Sequence, residues 1–229
     1  MARPLPPAQW QLPSLQQVRI GEDVVALGCE LEPGTVLHAY ASGIFPMHLH
    51  DDALGGEVLA WWSPDPRGVL PLDQFRVSRS LRASMRHFTF TVDEAFDRVI
   101  ELCADPSRSH GWINADILAC YTELHSLGWA HSVEVWNATG DLVGGLYGVE
   151  VGGLFAGESM FHSVRDASKA ALAHLVGMLS ACPGPRLLDV QWATEHLVSL
   201  GVKEIPRDEY LKLLARVATA DACLGAVTK

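Results

Sequence analysis

The sequence has no long apolar run and no closely spaced pair of cysteines. No segment approaches the roughly 18 consecutive apolar residues that a membrane-spanning helix needs, and the opening stretch MARPLPPAQWQLPS holds no apolar run of signal-peptide length. The five cysteines form no C-x-x-C pair and lie far apart. An odd, scattered set is typical of reduced thiols, and it argues against a disulfide framework or a zinc site. We therefore expect a cytoplasmic protein with no membrane partner.

Positive charge is also scarce, since the net charge of the chain is −10. This balance argues against non-specific binding of nucleic acid, which depends on many contacts to phosphate. The stretch FRVSRSLRASMRHF reverses the sign locally, because it carries four arginines and no acid. On a helix, Arg79, Arg82 and Arg86 share one face. That face is either simply solvated or a contact surface for nucleic-acid phosphates.

Ligands for a metal are few. His48, His50, Asp51 and Asp52 offer two imidazoles and two carboxylates close together in the sequence. They lie in a Gly-rich stretch, and no matching ligand pair follows elsewhere in the chain. We therefore expect no metal site.

The composition favours a folded protein of two parts, because 48% of the residues are hydrophobic. The first part is rich in Pro and Gly. One helix is predicted there over residues 33–42, where Pro33 suits the start and Gly43 the position past the end. The character of the sequence changes after WWSPDPRG. We expect a small N-terminal domain, residues 1–66, and a larger domain, residues 67–229.

The larger domain is predicted to hold helices, an antiparallel meander, a helix, a strand and further short helices. HSVEVW and LVGGLYGVEVG flank a short loop with Gly140, which predicts a hairpin, and GLFAGESMF continues the meander. Val92, Phe96 and Cys103 fall on one face of a predicted helix, and Asn114 suits the N-cap of the next helix. A strand–helix–strand crossover beside a meander is the plan of an acetyltransferase-like (GNAT) α+β domain with a mixed, mainly antiparallel sheet.

Two places in this domain carry polar side chains that suit chemistry. A strand is predicted to end at residues 157–159, just before a helix begins, and a helix N-terminus suits an anion or a reacting carbonyl. Glu158 is there either a reactive carboxylate or an ordinary N-cap or surface group. In the strand LLDVQ, alternation places Asp189 and Gln191 on one face. This pair either lines a cleft or fixes a loop as a buried hydrogen-bonded pair.

Several strings of the sequence together resemble one bacterial family. They include YASGIFPM, WWSPDPRGVLP, AHSVEVW, FAGESMF and LLDVQ, and they run in the family's order from about residue 24 to about residue 214. On these motifs the chain resembles the leucyl/phenylalanyl-tRNA–protein transferases. The resemblance implies that Leu or Phe, and also Met, is transferred from aminoacyl-tRNA to the α-amino group of an N-terminal Arg or Lys. The acceptor protein is thereby marked for N-end rule degradation.

The resemblance also implies which residues act. Asp189, Gln191 and Glu158 are expected to be catalytic. Asp189 would accept a hydrogen bond from the Gln191 amide, Gln191 would hold the attacking amine, and Glu158 would help to position a cationic amine or the donor. An aminoacyl ester is already activated, so no cofactor and no metal are expected.

An apolar pocket for the donor side chain is implied as well. Its expected residues are Met47, Trp112, Tyr121, Leu146 and Phe155. The family usually has Trp at the position of Met47, so the shape of the pocket is expected to differ here. The face formed by Arg79, Arg82 and Arg86 is expected to contact the tRNA backbone, and the protein is expected to be a monomer.

Two other classes of function fit parts of the sequence. An acetyl-coenzyme A-dependent N-acetyltransferase would share the fold, but ESMFHSVRDASK has no closely spaced glycines to hold a pyrophosphate. A non-catalytic adaptor for basic N-termini would need neither the arginine face nor the Asp189/Gln191 pair.

Overall fold

A computed structural model describes residues 3–106 and 112–224 of the chain, and it has the expected α+β fold. Ten strands form two sheets. In chain order the strands are β1 (Val24–Leu27), β2 (Phe45–Asp51), β3 (Gly56–Trp62), β4 (Arg67–Val69), β5 (Thr89–Val92), β6 (Ala130–Trp136), β7 (Leu142–Val151), β8 (Leu154–His162), β9 (Leu187–Gln191) and β10 (Lys203–Ile205). The seven helices are α1 (Pro33–Ala41), α2 (Arg79–Ser84), α3 (Phe96–Cys103), α4 (Ala115–Ser126), α5 (Ala167–Ala181), α6 (Glu195–Leu200) and α7 (Arg207–Val217).

The first sheet is antiparallel and has the order β1–β3–β2. Helix α1 lies between β1 and β2 in the chain. It begins at Pro33, where the Glu32 carboxylate caps the first turn by accepting hydrogen bonds from two backbone N–H groups. It ends before Gly43, which has a φ of +82°. The local signals for this helix were therefore sufficient to predict it.

The second sheet has the order β10–β4–β9–β8–β7–β6–β5. All its pairs are antiparallel except β8 and β9, which run parallel and are joined by α5. This is the predicted strand–helix–strand crossover beside a meander, and the hairpin between β6 and β7 is also as predicted. The mixed, mainly antiparallel sheet is thus confirmed.

Helices cover both faces of this sheet. All ten residues of β7 are buried, as expected for a strand with helices above and below. On one face α5 packs through Leu175 and Leu179, and on the other α3 and α4 pack through Ile100 and Ile117. The hydrophobic cluster on the face covered by α3 and α4 continues into α1, so it joins the two sheets. The predicted division at residue 66 falls between the sheets and remains a prediction.

Two local predictions are wrong. Val92 was placed on a helix, but it lies in β5 and pairs with Val133, and α3 begins only at Phe96. Cys182 and Cys223 were expected to be reduced, but they form a disulfide with Cα atoms 5.9 Å apart. Their sequence separation of 41 residues hides a contact between the end of α5 and the last described residues.

Candidate active site

The central feature is the place where β8 and β9 part. Their parallel pairing ends at Ala156 and Asp189. One residue later β8 contains a bulge, since Gly157 pairs with Gly148 and Ser159 with Tyr147, which leaves Glu158 as the extra residue. The prediction that a strand ends at Glu158 is therefore wrong: β8 continues to His162, and the bulge rather than a helix N-terminus positions the carboxylate.

Bulge and divergence together leave a cavity of about 120 Å³, which we call the splay cavity. Its wall is mostly aliphatic, and the side chains on it that carry polar atoms are Tyr147, Glu158, Ser159 and Gln191. The apolar residues that line it include Leu146, Met160, Leu172, Leu175, Leu188, Val190 and Leu197. Such a cavity suits an apolar side chain whose polar end lies beside a carboxylate and an amide.

Glu158 is the hub of a hydrogen-bond chain. Gln191 Nε2 donates to Oε1 over 3.0 Å, and Tyr121 donates its hydroxyl to Oε2 over 3.3 Å. The hydroxyl of Tyr121 lies 2.5 Å from that of Tyr40, which belongs to α1. Burial raises the pKa of Glu158 to about 8, and the negative charge of Asp189 acts in the same direction against the tyrosine hydroxyls. The carboxyl group can therefore exchange a proton near neutral pH.

The contacts of Asp189 differ from the expected hydrogen bond with the side-chain amide of Gln191. Its fully buried carboxylate accepts two hydrogen bonds from Arg67, Nε to Oδ1 at 2.9 Å and Nη2 to Oδ2 at 2.6 Å. It also accepts the hydroxyl of Tyr210 at 2.8 Å and the backbone N–H of Gln191 at 2.9 Å. The side-chain amide of Gln191 goes to Glu158 instead. Asp189 therefore fixes the backbone of Gln191, and a carboxylate held in this way is poorly placed to act as a base.

The backbone at Gln191 makes the arrangement possible. Its φ is +58°, in the left-handed region that few side chains adopt, and it is the last residue of β9. In this conformation its N–H faces Asp189 while its side chain crosses the gap to Glu158. A strained residue of this kind at the edge of a cavity is typical of functional sites.

Arg67 completes the support. Burial disfavours its cation, but the charge of Asp189, its hydrogen bonds and the nearby Tyr210 and Glu158 together outweigh that effect and raise the pKa of Arg67 above its ordinary value. Its Nη1 donates to the carbonyl of Gly43, 3.2 Å away, at the end of α1. Its guanidinium group lies over the rings of Phe45 and Tyr210. Sequence reasoning missed Arg67, Tyr210 and Tyr40.

The residues expected to line one pocket are spread over both faces of the sheet. Leu146 lines the splay cavity. Phe155 is fully buried in the core under α5 and is not part of the cavity wall. Tyr121 lies on the opposite face, where it contacts Glu158 and has the ring of Trp112 at 6.4 Å. Met47 lies half-buried in β2, and its carbonyl accepts the indole N–H of Trp62.

The arginines predicted to bind nucleic acid lie together on the surface. Arg79 and Arg82 belong to α2, and Arg86 to the 3-10 turn that follows it. All three are exposed.

The histidines and aspartates at residues 48–52, which the sequence offers as metal ligands, bond to other protein groups. His50 Nε2 lies 3.1 Å from the Asp52 carboxylate, and His48 shares a hydrogen bond with Asn114. Within residues 3–106 and 112–224, no three His, Cys, Asp or Glu side chains are grouped to hold a metal ion. In the same ranges no helix is long and apolar enough to cross a membrane.

An apolar cavity that ends at a carboxylate and an amide, on a sheet of this plan, suits an enzyme of the acyltransferase class. Comparison with known proteins agrees with this class. The family described as leucyl/phenylalanyl-tRNA protein transferase matches residues 69–215, and the N-terminal domain of the same description matches residues 30–65. The chain belongs to this family of aminoacyltransferases, and the resemblance noted in its motifs is confirmed.

Individual relatives support the assignment over most of the chain. The leucyl/phenylalanyl-tRNA–protein transferase of Salinibacter ruber is 50% identical over 189 residues, which are 82% of this chain and 80% of that protein. The transferase of the same name from Rhodospirillum rubrum is 50% identical over 203 residues, or 86% of this chain and 91% of that one. The solved structure of L-PGS from Bacillus licheniformis matches with a TM-score of 0.37 and 14% identity, covering 67% of this chain and 57% of that one. This last likeness is too weak to bear on the fold.

Proposed function

We propose that this chain transfers Leu or Phe, and also Met, from aminoacyl-tRNA to the α-amino group of an N-terminal Arg or Lys of an acceptor protein. The observation that carries the proposal is the hydrogen-bonded pair of Glu158 and Gln191 on the wall of the splay cavity. The family's name supports the same donor. The product would be marked for N-end rule degradation in the cytoplasm, and the enzyme would act as a monomer.

The donor is placed by its side chain. An unbranched or γ-branched apolar side chain fits the aliphatic wall that Leu146 and Leu172 help to form. The ester carbonyl of the aminoacyl-tRNA then lies at the polar part of the wall, beside Glu158 and Gln191. Holding the ester and the amine together in this way supplies much of the catalysis, since orientation alone is worth about 7–11 kcal/mol.

The acceptor amine must lose a proton as it attacks the ester carbonyl. Glu158 suits that role because its pKa of about 8 matches the ordinary range of an α-amino group, roughly 7.7–8.0. The proton passes from the amine to the Glu158 carboxylate. The amine nitrogen forms the new C–N bond, the C–O bond to the tRNA ribose breaks, and Glu158 passes the same proton on to the departing ribose oxygen, which restores the carboxylate.

Gln191 positions both partners. Its Nε2 donates to Glu158, so its carbonyl oxygen faces the space in which the amine arrives and can accept one of the amine's hydrogens. A neutral amide can do this without holding the amine in its protonated form. Asp189, buried and paired with Arg67, supports the site from beneath.

The test is transfer of labelled leucine from charged tRNA to a peptide that begins with Arg. A peptide of the same sequence beginning with Ala is the matched acceptor control. We expect labelled Leu at the N-terminus of the Arg peptide only, and none when uncharged tRNA is supplied. Acetylation of the peptide from acetyl-coenzyme A, with no transfer from charged tRNA, would overturn the proposal, as would peptide binding without any transfer.

A further inference from the structure

A second cavity, of about 430 Å³, lies between α2, α5 and the end of α6. We call it the α2–α5 cavity. It is lined by two cations, Arg76 and Lys169, and by Ser78 and Ser199. Both serine hydroxyls also bond within the protein, since Ser78 Oγ accepts the backbone N–H of Leu81 and Ser199 Oγ donates to the carbonyl of His196. Arginine, lysine and serine are the side chains that most often contact the phosphates of nucleic acids. The chemistry of the wall therefore suits a phosphodiester.

The charges of this cavity are not neutralised within it. Asp166 is the acid paired with Lys169, and their contact is long, with Nζ and Oδ1 3.8 Å apart. The other carboxylate oxygen of Asp166 accepts the hydroxyl of Ser84. The backbone N–H of Arg76 donates to the carbonyl of Leu200, which fixes the segment beside the end of α6.

The position of the cavity relates it to the proposed site. Lys169 and Leu172 lie on α5, about 4.5 Å apart along the axis, and Leu172 lines the splay cavity. On α6, Ser199 lines the α2–α5 cavity and Leu197, about 3 Å away along the axis, lines the splay cavity. The two cavities are thus neighbours that share two helices. On the other side, the α2–α5 cavity borders the helix that carries Arg79 and Arg82.

We infer that the α2–α5 cavity binds a backbone phosphate of the single-stranded 3′ end of the donor tRNA. The inference rests on the proposed function. An aminoacyl ester in the splay cavity puts the first phosphates of that strand one or two nucleotides away. The strand then runs through the α2–α5 cavity toward the exposed arginines. Because the 3′ end is common to all tRNAs, a contact there does not restrict the choice of donor.

The experiment compares donors of increasing length, each of which adds one nucleotide and therefore one phosphodiester, up to the full tRNA. These are phenylalanyl-adenosine, phenylalanyl-CA, phenylalanyl-CCA and Phe-tRNA. For Lys169→Gln we expect the KM to rise about tenfold with the donors that bear the bound phosphate, as for a lost hydrogen bond to a charged group. The KM for phenylalanyl-adenosine and the kcat for every donor should stay at the wild-type values. Lys169→Arg should restore most of the affinity.

Three controls make the result specific. Lys212→Gln, which removes an exposed lysine on α7, should leave the KM of every donor unchanged. Arg82→Gln should raise the KM for Phe-tRNA but not for phenylalanyl-CCA. Inorganic phosphate should compete with phenylalanyl-CCA in the wild type but not in Lys169→Gln.

The inference is overturned if Lys169→Gln weakens phenylalanyl-adenosine as much as phenylalanyl-CCA, or if it weakens neither. It is also overturned if inorganic phosphate competes while Lys169→Gln leaves the KM for phenylalanyl-CCA unchanged, because the cavity would then hold free anions only. Failure of the wild type to transfer from any donor would instead refute the proposed function.

Discussion

The side-chain amide of Gln191 crosses the open end of the sheet to Glu158, with 3.0 Å between Nε2 and Oε1. The two residues come from strands that are paired only up to Ala156 and Asp189. The bridge therefore forms where the backbone hydrogen bonds between the strands have stopped. At this point a hydrogen bond between side chains links the two strands beside the splay cavity.

Replacing Gln191 by Ala should slow turnover without lowering the affinity for the aminoacyl-tRNA donor. Losing a positioned group at a developing charge costs about 2.7–4 kcal/mol, or roughly 10²–10³ in rate. The measurement is single-turnover transfer with saturating Phe-tRNA, alongside a binding isotherm for the same donor. Ser159→Ala, which changes another polar residue of the cavity wall, is the control and should remain near the wild-type rate. Near-normal turnover of Gln191→Ala would remove this residue from the mechanism.

Transfer should rise with pH through about 8 if Glu158 takes the proton. The folded protein raises the pKa of Glu158 to about 8, and the active form is the carboxylate, which is lost as the pH falls below that value. Glu158→Gln keeps the shape and cannot titrate. Its rate should be lower, and its pH profile should keep only the inflection of the acceptor amine. An unchanged profile in Glu158→Gln would contradict the assignment.

The free energy of unfolding should also depend on the titration of Glu158, but it should fall rather than rise with increasing pH. A carboxyl group whose pKa is raised on folding binds more protons in the folded state, so it stabilises the fold fully below its unfolded pKa of about 4.3. That contribution is lost as the pH rises to about 8. The free energy of unfolding should therefore fall less between pH 5 and pH 8 in Glu158→Gln than in the wild type. Urea unfolding at several pH values measures the difference, and parallel curves would count against the raised pKa.

Breaking the Arg67–Asp189 pair should destabilise the protein strongly. Asp189→Ala leaves a buried guanidinium group without its carboxylate, which typically costs about 3–5 kcal/mol. The double variant Arg67→Met/Asp189→Leu should lose less than Asp189→Ala, because no charge remains buried. Lys212→Ala, which breaks an exposed pair with Asp208, should change little. A double variant less stable than the single would show that the ion pair itself stabilises the fold.

The splay cavity should separate donors by the shape of their side chains. Hydrophobic pockets discriminate by about 1–3 kcal/mol per methylene, or roughly 10–200-fold. Leu and Ile are isomers, so the difference between them rests on the branch at Cβ, and we expect Leu-tRNA to exceed Ile-tRNA in kcat/KM by a factor of the same order, about tenfold or more. Leu146→Phe narrows the cavity and should reduce transfer of Phe more than transfer of Leu. The control is Leu213→Phe, which changes a partly buried leucine on α7 outside this wall and should leave the ratio of Phe to Leu transfer unchanged. Equal rates with Ile-tRNA and Leu-tRNA would contradict the assignment of the cavity.

The exposed arginines should contribute to affinity in a salt-dependent way. Replacing Arg79, Arg82 or Arg86 singly by Ala should weaken all aminoacyl-tRNAs to a similar degree, because contacts to phosphate carry no base sequence. The slope of log affinity against log salt should fall by about 1 for each substitution. The control is Arg19→Ala, which removes an exposed arginine paired with Glu22 and should leave both the affinity and its salt dependence unchanged. A loss confined to one tRNA species would indicate contacts to bases instead.

Features set by neighbouring residues could be predicted from the sequence. Helix α1 has a proline at its start and Gly43 past its end, and the β6–β7 hairpin has Gly140 in its loop. Such signals act within a few residues. The likeness of the motifs to one family also pointed to Glu158 and Gln191, which do meet in the structure.

The remaining features depend on contacts between distant parts of the chain. Arg67 and Asp189 are 122 residues apart, and only the pairing of β4 with β9 brings them together. Nothing in the local sequence distinguishes a buried arginine from an exposed one. The bulge at Glu158 arises from a shift of register between β7 and β8, which the alternation of a single strand does not reveal.

Besides the hydrophobic cluster that joins the two sheets, two buried arginines attach the first part of the chain through backbone acceptors. Arg67 donates to the carbonyl of Gly43, and Arg207 donates to the carbonyls of Ser63 and Glu22. A carbonyl is present whatever side chain stands at a position, so these contacts survive changes of sequence in the first sheet. The hydroxyl of Tyr40 is different, because only a side chain provides it. Chimeras that take their first 62 residues from a relative should therefore assemble readily, and they should depend on a tyrosine at position 40 for full activity.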